Sequence, residues 1–324
     1  MLTAPTSAAI PPIPAIAWCA GALYLLAARH RWAWLGALLA SQLLSGCSSL
    51  DQWQRTKLYR PTPVASVGQW QQMLAERPEL EAITVPVGSG GEQVQLLRWP
   101  AQPDRGRAVR VLYLHGTFRH AFQNLAKAAP MQRAGLDVYL LDYRGWGASS
   151  PRVPDEASIH EDAWTAWQAL RVREPHARWV VYGHSMGSAV AVRLAERLAG
   201  QGTERYAGQS AYCALVLESA FTSFADVADA AAGWLGRGLT ALGNERMESA
   251  GRIAHVDPPV WFLHGRRDDT VPLVLGRALF DLAPSPKHWA EWPLGHSNLQ
   301  LDPSGRYDAA WRDIAESCRA QPKL

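Results

Sequence analysis

Lysine is scarce in this chain. Of its 32 basic residues only Lys57, Lys127, Lys287 and Lys323 are lysines, a compositional bias that carries no function of its own. Four cysteines in 324 residues, with no Cys-x-x-Cys pair, exclude a zinc ribbon and a disulfide-dense scaffold. The ten histidines include no His-Glu-x-x-His, so a zincin site is not expected. There is no basic stripe: the net charge is +3 with both signs interspersed, which argues against a dedicated nucleic-acid binder. Internal repeats and low-complexity tracts are also lacking. What remains is a chain with 48% hydrophobic residues, long enough for one large α/β domain or two small ones.

Residues 1–46 contain no acidic residue. The basic cluster Arg29-His30-Arg31 precedes an apolar run from Trp32 to Gly46 that ends Leu44-Ser45-Gly46-Cys47. This order of charge, apolar run and small residues describes a secretory signal. Its ending resembles the bacterial lipobox, which implies cleavage before Cys47 and lipidation of that cysteine. A signal-anchor helix with an incidental Cys47 is the alternative. Ser48 follows in place of an aspartate, which in resembling lipoproteins favours the outer membrane. The expected location is therefore the bacterial cell envelope, lipid-anchored and facing the periplasm. Pro11, Pro12 and Pro14 interrupt the first part, and a translation start at Leu25 or Leu26 would leave a compact signal. Residues 47–80 read as a tether and linker with a short helix at Val67–Ala75, and residues 81–324 as the main domain.

In that domain, Ile83–Val87 and Gln93–Trp99 read as a hairpin around Gly88-Ser89-Gly90-Gly91. Val109–Leu114, Asp137–Leu141, Trp179–Tyr182, Ala214–Leu217 and Val260–Leu263 read as strands of a sheet buried on both faces. Helical spacing lies between them, so the expectation is a mostly parallel sheet flanked by helices.

Gly183-His184-Ser185-Met186-Gly187 matches G-x-S-x-G between a strand and a helix. That sharp turn strains its central residue and needs small neighbours, here Gly183 and Gly187, to leave room for it. A nucleophilic serine needs a base, and the base needs an orienting acid. Asp268 follows strand Val260–Leu263, and His296 follows a short strand at Trp289–Trp292, so all three groups should face one rim of the sheet. The Met186 N–H is the first expected oxyanion donor. Thr117 or Phe118, after His115-Gly116, is the second, with Thr117 favoured.

From about residue 83 onward the chain resembles the α/β-hydrolase superfamily. It is most similar to the serine hydrolase branch of monoacylglycerol-lipase-like and abhydrolase-domain esterases. The matching pieces are Leu114-His115-Gly116, the Asp142–Ser149 turn, the Ser185 elbow, Glu218–Ser223, the His264–Pro272 loop and Gly295-His296. The resemblance implies an α/β-hydrolase fold with a small helical cap at about 219–256. It also implies a Ser185–Asp268–His296 triad acting through an acyl-enzyme, with no metal and no cofactor.

Asp269 and Glu218 compete with Asp268 as the acid; spacing within the loop favours Asp268, and Glu218 reads as a structural acceptor for loop N–H groups. His115, His184 and His264 read as packed histidines, and Asp142 and Arg144 as braces of their turn. Cys213 and Cys318 are either disulfide-bonded or buried thiols. The cap aromatics either pack the cap down or line an acyl pocket. The expected substrates are carboxylic esters with short to medium acyl chains, small-molecule or lipid. The rivals are a serine aminopeptidase or amidase and a non-catalytic envelope binding protein.

Overall fold

The computed structural model describes residues 51–101, 109–200, 211–241, 243–257 and 259–321. The expected signal segment and Cys47 lie outside these. The chain divides into two units after Trp53, and the second, Gln54–Leu324, carries the sheet.

Residues 51–59 are helical (α1). They are followed by α2 (Val67–Ala75), β1 (Glu81–Val87), β2 (Glu92–Trp99), β3 (Val109–Leu114) and a 3-10 turn (Ala121–Asn124) leading into α3 (Leu125–Arg133). Next come β4 (Leu136–Asp142), α4 (Glu156–Arg173), β5 (Arg178–His184), α5 (Met186–Gly200), β6 (Ala214–Glu218), α6 (Phe224–Ala241) and α7 (Ala250–Ile253). The chain then forms β7 (Val260–Gly265), α8 (Leu273–Leu282), β8 (Lys287–Trp292) and α9 (Arg306–Ala320).

Eight strands form one sheet in the order β1-β2-β4-β3-β5-β6-β7-β8. The hairpin β1–β2 and its junction with β4 are antiparallel, and every other pairing is parallel. This is the expected α/β-hydrolase fold. The apolar runs explain its centre, because alternate residues of one strand feed opposite faces. In β5, Trp179 and Val181 enter the core beneath α4 and α5, while Val180 and Tyr182 enter the core beneath α3 and α9. Asp155 caps α4 by accepting from the Ser158 N–H at 2.7 Å, one orphan donor satisfied at the helix start.

Part of the expected linker packs onto the domain. Tyr59 is fully buried and packs on Phe224, and the Val64 N–H donates to the Gly147 carbonyl at 2.8 Å. Cys213, just before β6, and Cys318, in α9, are joined as a disulfide.

The segment between β6 and β7 contains α6 and α7. Phe221 and Phe224 stack on each other within the core, so these cap aromatics serve packing. Beyond a kink at Ala232 and Gly233, Trp234 and Leu235 point outward, 78% and 57% exposed. Among the described residues, no helix is long and apolar enough to cross a membrane.

Candidate active site

The site is assembled on the C-terminal edge of the parallel strands. Ser185 connects β5 to α5 with a φ of 54°, a left-handed conformation costly for a residue with a side chain. Its N–H donates to the Glu218 carbonyl at 2.9 Å, and its carbonyl accepts from the Ser188 N–H and hydroxyl. The flanking glycines are required by contact. A Cβ on Gly183 would lie 2.1 Å from the Gly187 carbonyl oxygen, and one on Gly187 would lie 2.0 Å from that of Leu114.

The loops after β7 and β8 bring the other two groups to this serine. His296 Nε2 is 2.9 Å from Ser185 Oγ, and His296 Nδ1 is 2.8 and 3.0 Å from the Asp268 carboxylate oxygens. A carboxylate only accepts, so Nδ1 carries the proton and Nε2 is left to accept from the serine hydroxyl. Asp268 also accepts from the Thr270 and Val271 N–H groups. Burial alone would raise its carboxyl; the His296 and Val271 hydrogen bonds outweigh that and hold it below the ordinary carboxylate range. Asp269, the neighbouring competitor, is not in this chain of hydrogen bonds. The arrangement can pass a proton from a hydroxyl to an imidazole whose tautomer is fixed.

The loop after β3 forms the opposite wall. Gly116 lies close under the serine, where a Cβ would be 3.1 Å from Ser185 Cβ. Phe118 has a φ of 61°, and its N–H donates to the Tyr59 carbonyl at 3.4 Å, so of the two expected loop donors the Phe118 N–H is already engaged. A small, shallow cleft is lined by Gly116 to Arg119, Asn124, His184, Ser185, His296 and Ser297. No described residue of the segment between β6 and β7 lines it.

The other histidines are held in place. His184 Nε2 meets the His296 carbonyl at 2.9 Å and His264 Nε2 meets the Val271 carbonyl at 2.9 Å, so each of those nitrogens is a donor. Burial pushes the His184 ring well towards neutrality, lowers His264 in the same direction, and pushes His115 down to about 4. Asp142 accepts from the Ala121 N–H, and its second oxygen is buried without a partner; burial raises its pKa to about 7. Arg144 binds Glu92, Glu161 and Asp162, bracing its turn.

Glu218 is a structural acceptor, but not for loop N–H groups. Its carboxylate takes the Lys127 ammonium on one oxygen and the Tyr182 and Tyr307 hydroxyls, at 2.8 and 2.6 Å, on the other. All four side chains are buried. Lys127 also reaches Gln300 at 3.5 Å, whose amide donates to the Ser297 carbonyl beside His296. Ser219, next in the chain, lies against Asp268 and points its hydroxyl at the His296 carbonyl oxygen, 3.4 Å away. Sequence reasoning missed Lys127, Tyr182, Tyr307 and Ser219. One signal for Lys127 was present: it is four residues before the core residue Met131, on the same helical face.

Among the described residues, no group of three or more His, Cys, Asp or Glu side chains could hold a metal ion.

A family model described as "Serine aminopeptidase, S33" matches residues 106–243. An uncharacterized protein of Mycobacterium tuberculosis is 34% identical over 216 residues, covering 65% of this chain and 72% of that one. The chain belongs to the α/β-hydrolase family. As a member of that family, it is also 30% identical over 218 residues to the lysophosphatidylserine lipase ABHD12 of Danio rerio. That match covers 63% of this chain and only 55% of the relative, so the chain spans about half the lipase's length. Among solved structures, an α/β-hydrolase from Vibrio vulnificus superposes with a TM-score of 0.64 at 20% identity, covering 83% of this chain and 93% of that one. An esterase from Pyrococcus furiosus superposes with a TM-score of 0.60 at 16% identity, covering 79% and 97%. At such identities these two speak for the fold alone.

Proposed function

We propose that this α/β-hydrolase cleaves carboxylic esters of short to medium acyl chains through an acyl-enzyme. The single observation that carries the reading is the unbroken hydrogen-bonded chain from Ser185 Oγ through His296 to Asp268. Ser185 attacks the ester carbonyl while His296 Nε2 takes its proton. The Met186 and Thr117 N–H groups receive the oxyanion. His296 then protonates the departing alkoxide, and water repeats the sequence on the acyl-enzyme. Asp268 holds the tautomer and stabilises the imidazolium. No step requires a metal or a cofactor.

An ester is favoured over an aminopeptide because a free α-amine calls for a carboxylate near the site. Among the described residues none lines the cleft. The acids of the cap are engaged elsewhere: Asp226 and Asp229 with Arg237, Glu245 with Tyr59 and Arg55, and Glu248 with the Ala250 N–H. The limit on acyl length rests on the small cleft, since Phe221 and Phe224 of the cap are used in packing and Trp234 faces solvent. Labelling with a fluorophosphonate, compared with Ser185→Ala, tests the nucleophile. kcat/KM for p-nitrophenyl esters of two to sixteen carbons, beside aminoacyl-anilides, tests the class. A maximum between about four and eight carbons is expected, each buried CH₂ adding about 0.8 kcal/mol until the cleft is full. Anilide turnover above every ester would overturn the reading in favour of the aminopeptidase.

We also infer a lipid anchor at Cys47 that holds the enzyme in the bacterial envelope, at the outer membrane. The Cys213–Cys318 disulfide supports export, because such bonds persist in oxidising compartments. Cys47→Ala should abolish processing and lipidation. A soluble mature protein whose N-terminal peptide carries no lipid mass would refute the anchor.

A further inference from the structure

The cleft at Ser185 is charged on one side only. Of the residues that line it, Arg119 alone bears a fixed charge. A second arginine stands beside it: Arg60 Cζ lies 4.6 Å from the centre of the Phe118 ring, and Arg119 Cζ lies 5.3 Å from the same centre. Arg60 also points Nη2 at the Thr117 hydroxyl, 3.4 Å away, in the loop that flanks the serine. Two cations are thus drawn to one aromatic ring in the wall of the cleft.

Elsewhere in the molecule comparable arginines are neutralised. Arg144 meets three carboxylates, Arg237 meets Asp226 and Asp229, and Arg152 meets Glu92 and Asp155. Among the described residues, no carboxylate lies within ion-pair distance of Arg60 or Arg119. Like charges sharing a ring repel, and among the described residues no anionic side chain offsets that cost. A cation–π contact does not consume the guanidinium N–H donors, so those not aimed at Thr117 can fork onto an oxyanion. The positive charge of Arg119 also helps hold the buried His184 ring neutral, so its field reaches the interior of the site.

We propose that Arg60 and Arg119 are an anion-recognition pair and that the preferred ester carries an anionic group, phosphate or carboxylate, close to the scissile bond. This rests on the esterase reading and narrows it to a substrate class. An acidic group on the alcohol or acyl portion would lie across the Thr117–Phe118 wall while the carbonyl faces Ser185. Charge on the substrate then selects it and steers its approach, and salt should weaken both effects.

Matched esters test this. 1-Butyrylglycerol is the neutral member, 1-butyrylglycerol 3-phosphate carries a phosphate, and the monobutyl ester of succinic acid carries a carboxylate beside butyl butyrate, of equal acyl length, as its neutral partner. At low salt, kcat/KM should favour at least one anionic member over its neutral partner by about tenfold, mostly through KM, and the preference should shrink at 0.5 M NaCl. Which member wins separates phosphate from carboxylate. Arg119→Gln and Arg60→Gln should each cut the anionic-to-neutral ratio severalfold. Arg312→Gln, the same charge change on an exposed helix position far along the chain, should keep it. Equal kcat/KM within both pairs, or an unchanged ratio in both arginine variants, overturns the proposal. Calorimetric binding of both pairs to Ser185→Ala keeps the test independent of turnover. Tighter binding of an anionic member than of its neutral partner, lost in Arg119→Gln, upholds the anion site even where fluorophosphonate labelling refutes the esterase; equal affinity within both pairs rejects it even where labelling succeeds.

Discussion

The Ser185 elbow and the segment between β6 and β7 both lie at the C-terminal edge of the sheet, yet they are built in opposite ways. At the elbow nothing can be added. Gly183 and Gly187 have backbone atoms where a Cβ would go, and the backbone of Ser185 is fixed by Glu218 and Ser188. In the other segment, α6 breaks at Ala232–Gly233 and presents Trp234 and Leu235 to solvent. The first region is specified atom by atom, as a reaction geometry must be. The second is held at its root by Phe221 and Phe224 and is free at its tip to vary without disturbing the first.

The largest effects should come from the rigid region. Ser185→Ala and His296→Ala should each lower kcat by about 10⁴-fold or more with the thermal midpoint little changed, since neither side chain carries the fold. Wild-type turnover in Ser185→Ala would end the contrast outright. Gly187→Ala is next: its methyl would meet the Leu114 carbonyl, so α5 and β3 must separate, and loss of soluble protein or of about 4 kcal/mol in chemical denaturation is expected.

Lys127→Met should follow, at about 3–5 kcal/mol, because it leaves the buried Glu218 carboxylate without its cation. Adding Glu218→Gln should return most of that loss, and Glu218→Gln alone should act through stability with the chemistry retained. A double variant no more stable than Lys127→Met would show that the pair is not a unit.

Asp142 gives a smaller effect whose sign depends on pH. Burial raises its folded-state pKa to about 7, against about 4 in the unfolded chain. The folded state therefore holds the proton more tightly. Its stabilising contribution is complete below about pH 4 and is lost as pH rises through 7. Asp142→Asn should flatten this part of the profile, so that urea midpoints at pH 5 and pH 8 differ less than in the wild type. A wider gap would reverse the assignment. Smallest of all, Trp234→Ala should change stability by no more than about 0.5 kcal/mol, as its ring is exposed.

The same contrast explains what could be read from the sequence. The parallel strands, the elbow and the order Ser185, Asp268, His296 are written in local patterns: apolar runs, a small-residue turn, and loops that must follow strands. The structure brings those three side chains together as that order implied. The cap was legible as a helical insertion, but not the fate of its aromatics, because amphipathic spacing looks the same whether a ring packs inward or lines a pocket. The Lys127–Glu218 contact joins residues 91 apart, and a lone lysine in a helix ordinarily reads as surface. Arg60 was hidden for a related reason: it lies in a stretch read as linker, and only the burial of Tyr59 beside it brings that stretch to the cleft.

The Cys213–Cys318 bond divides the machinery in a way that matters to proteases. It joins cysteines 105 positions apart, and the ring so closed holds Asp268 and His296 and the exposed tip at Trp234, while Ser185 stands outside it. A cut at that tip would open the polypeptide yet release nothing, since both ends stay tied through the cysteines. Base and acid would remain covalently attached to the strand that carries the nucleophile. Nicked at that exposed point, the protein would still travel, unfold or be recovered as one molecule. Only reduction would separate the two pieces.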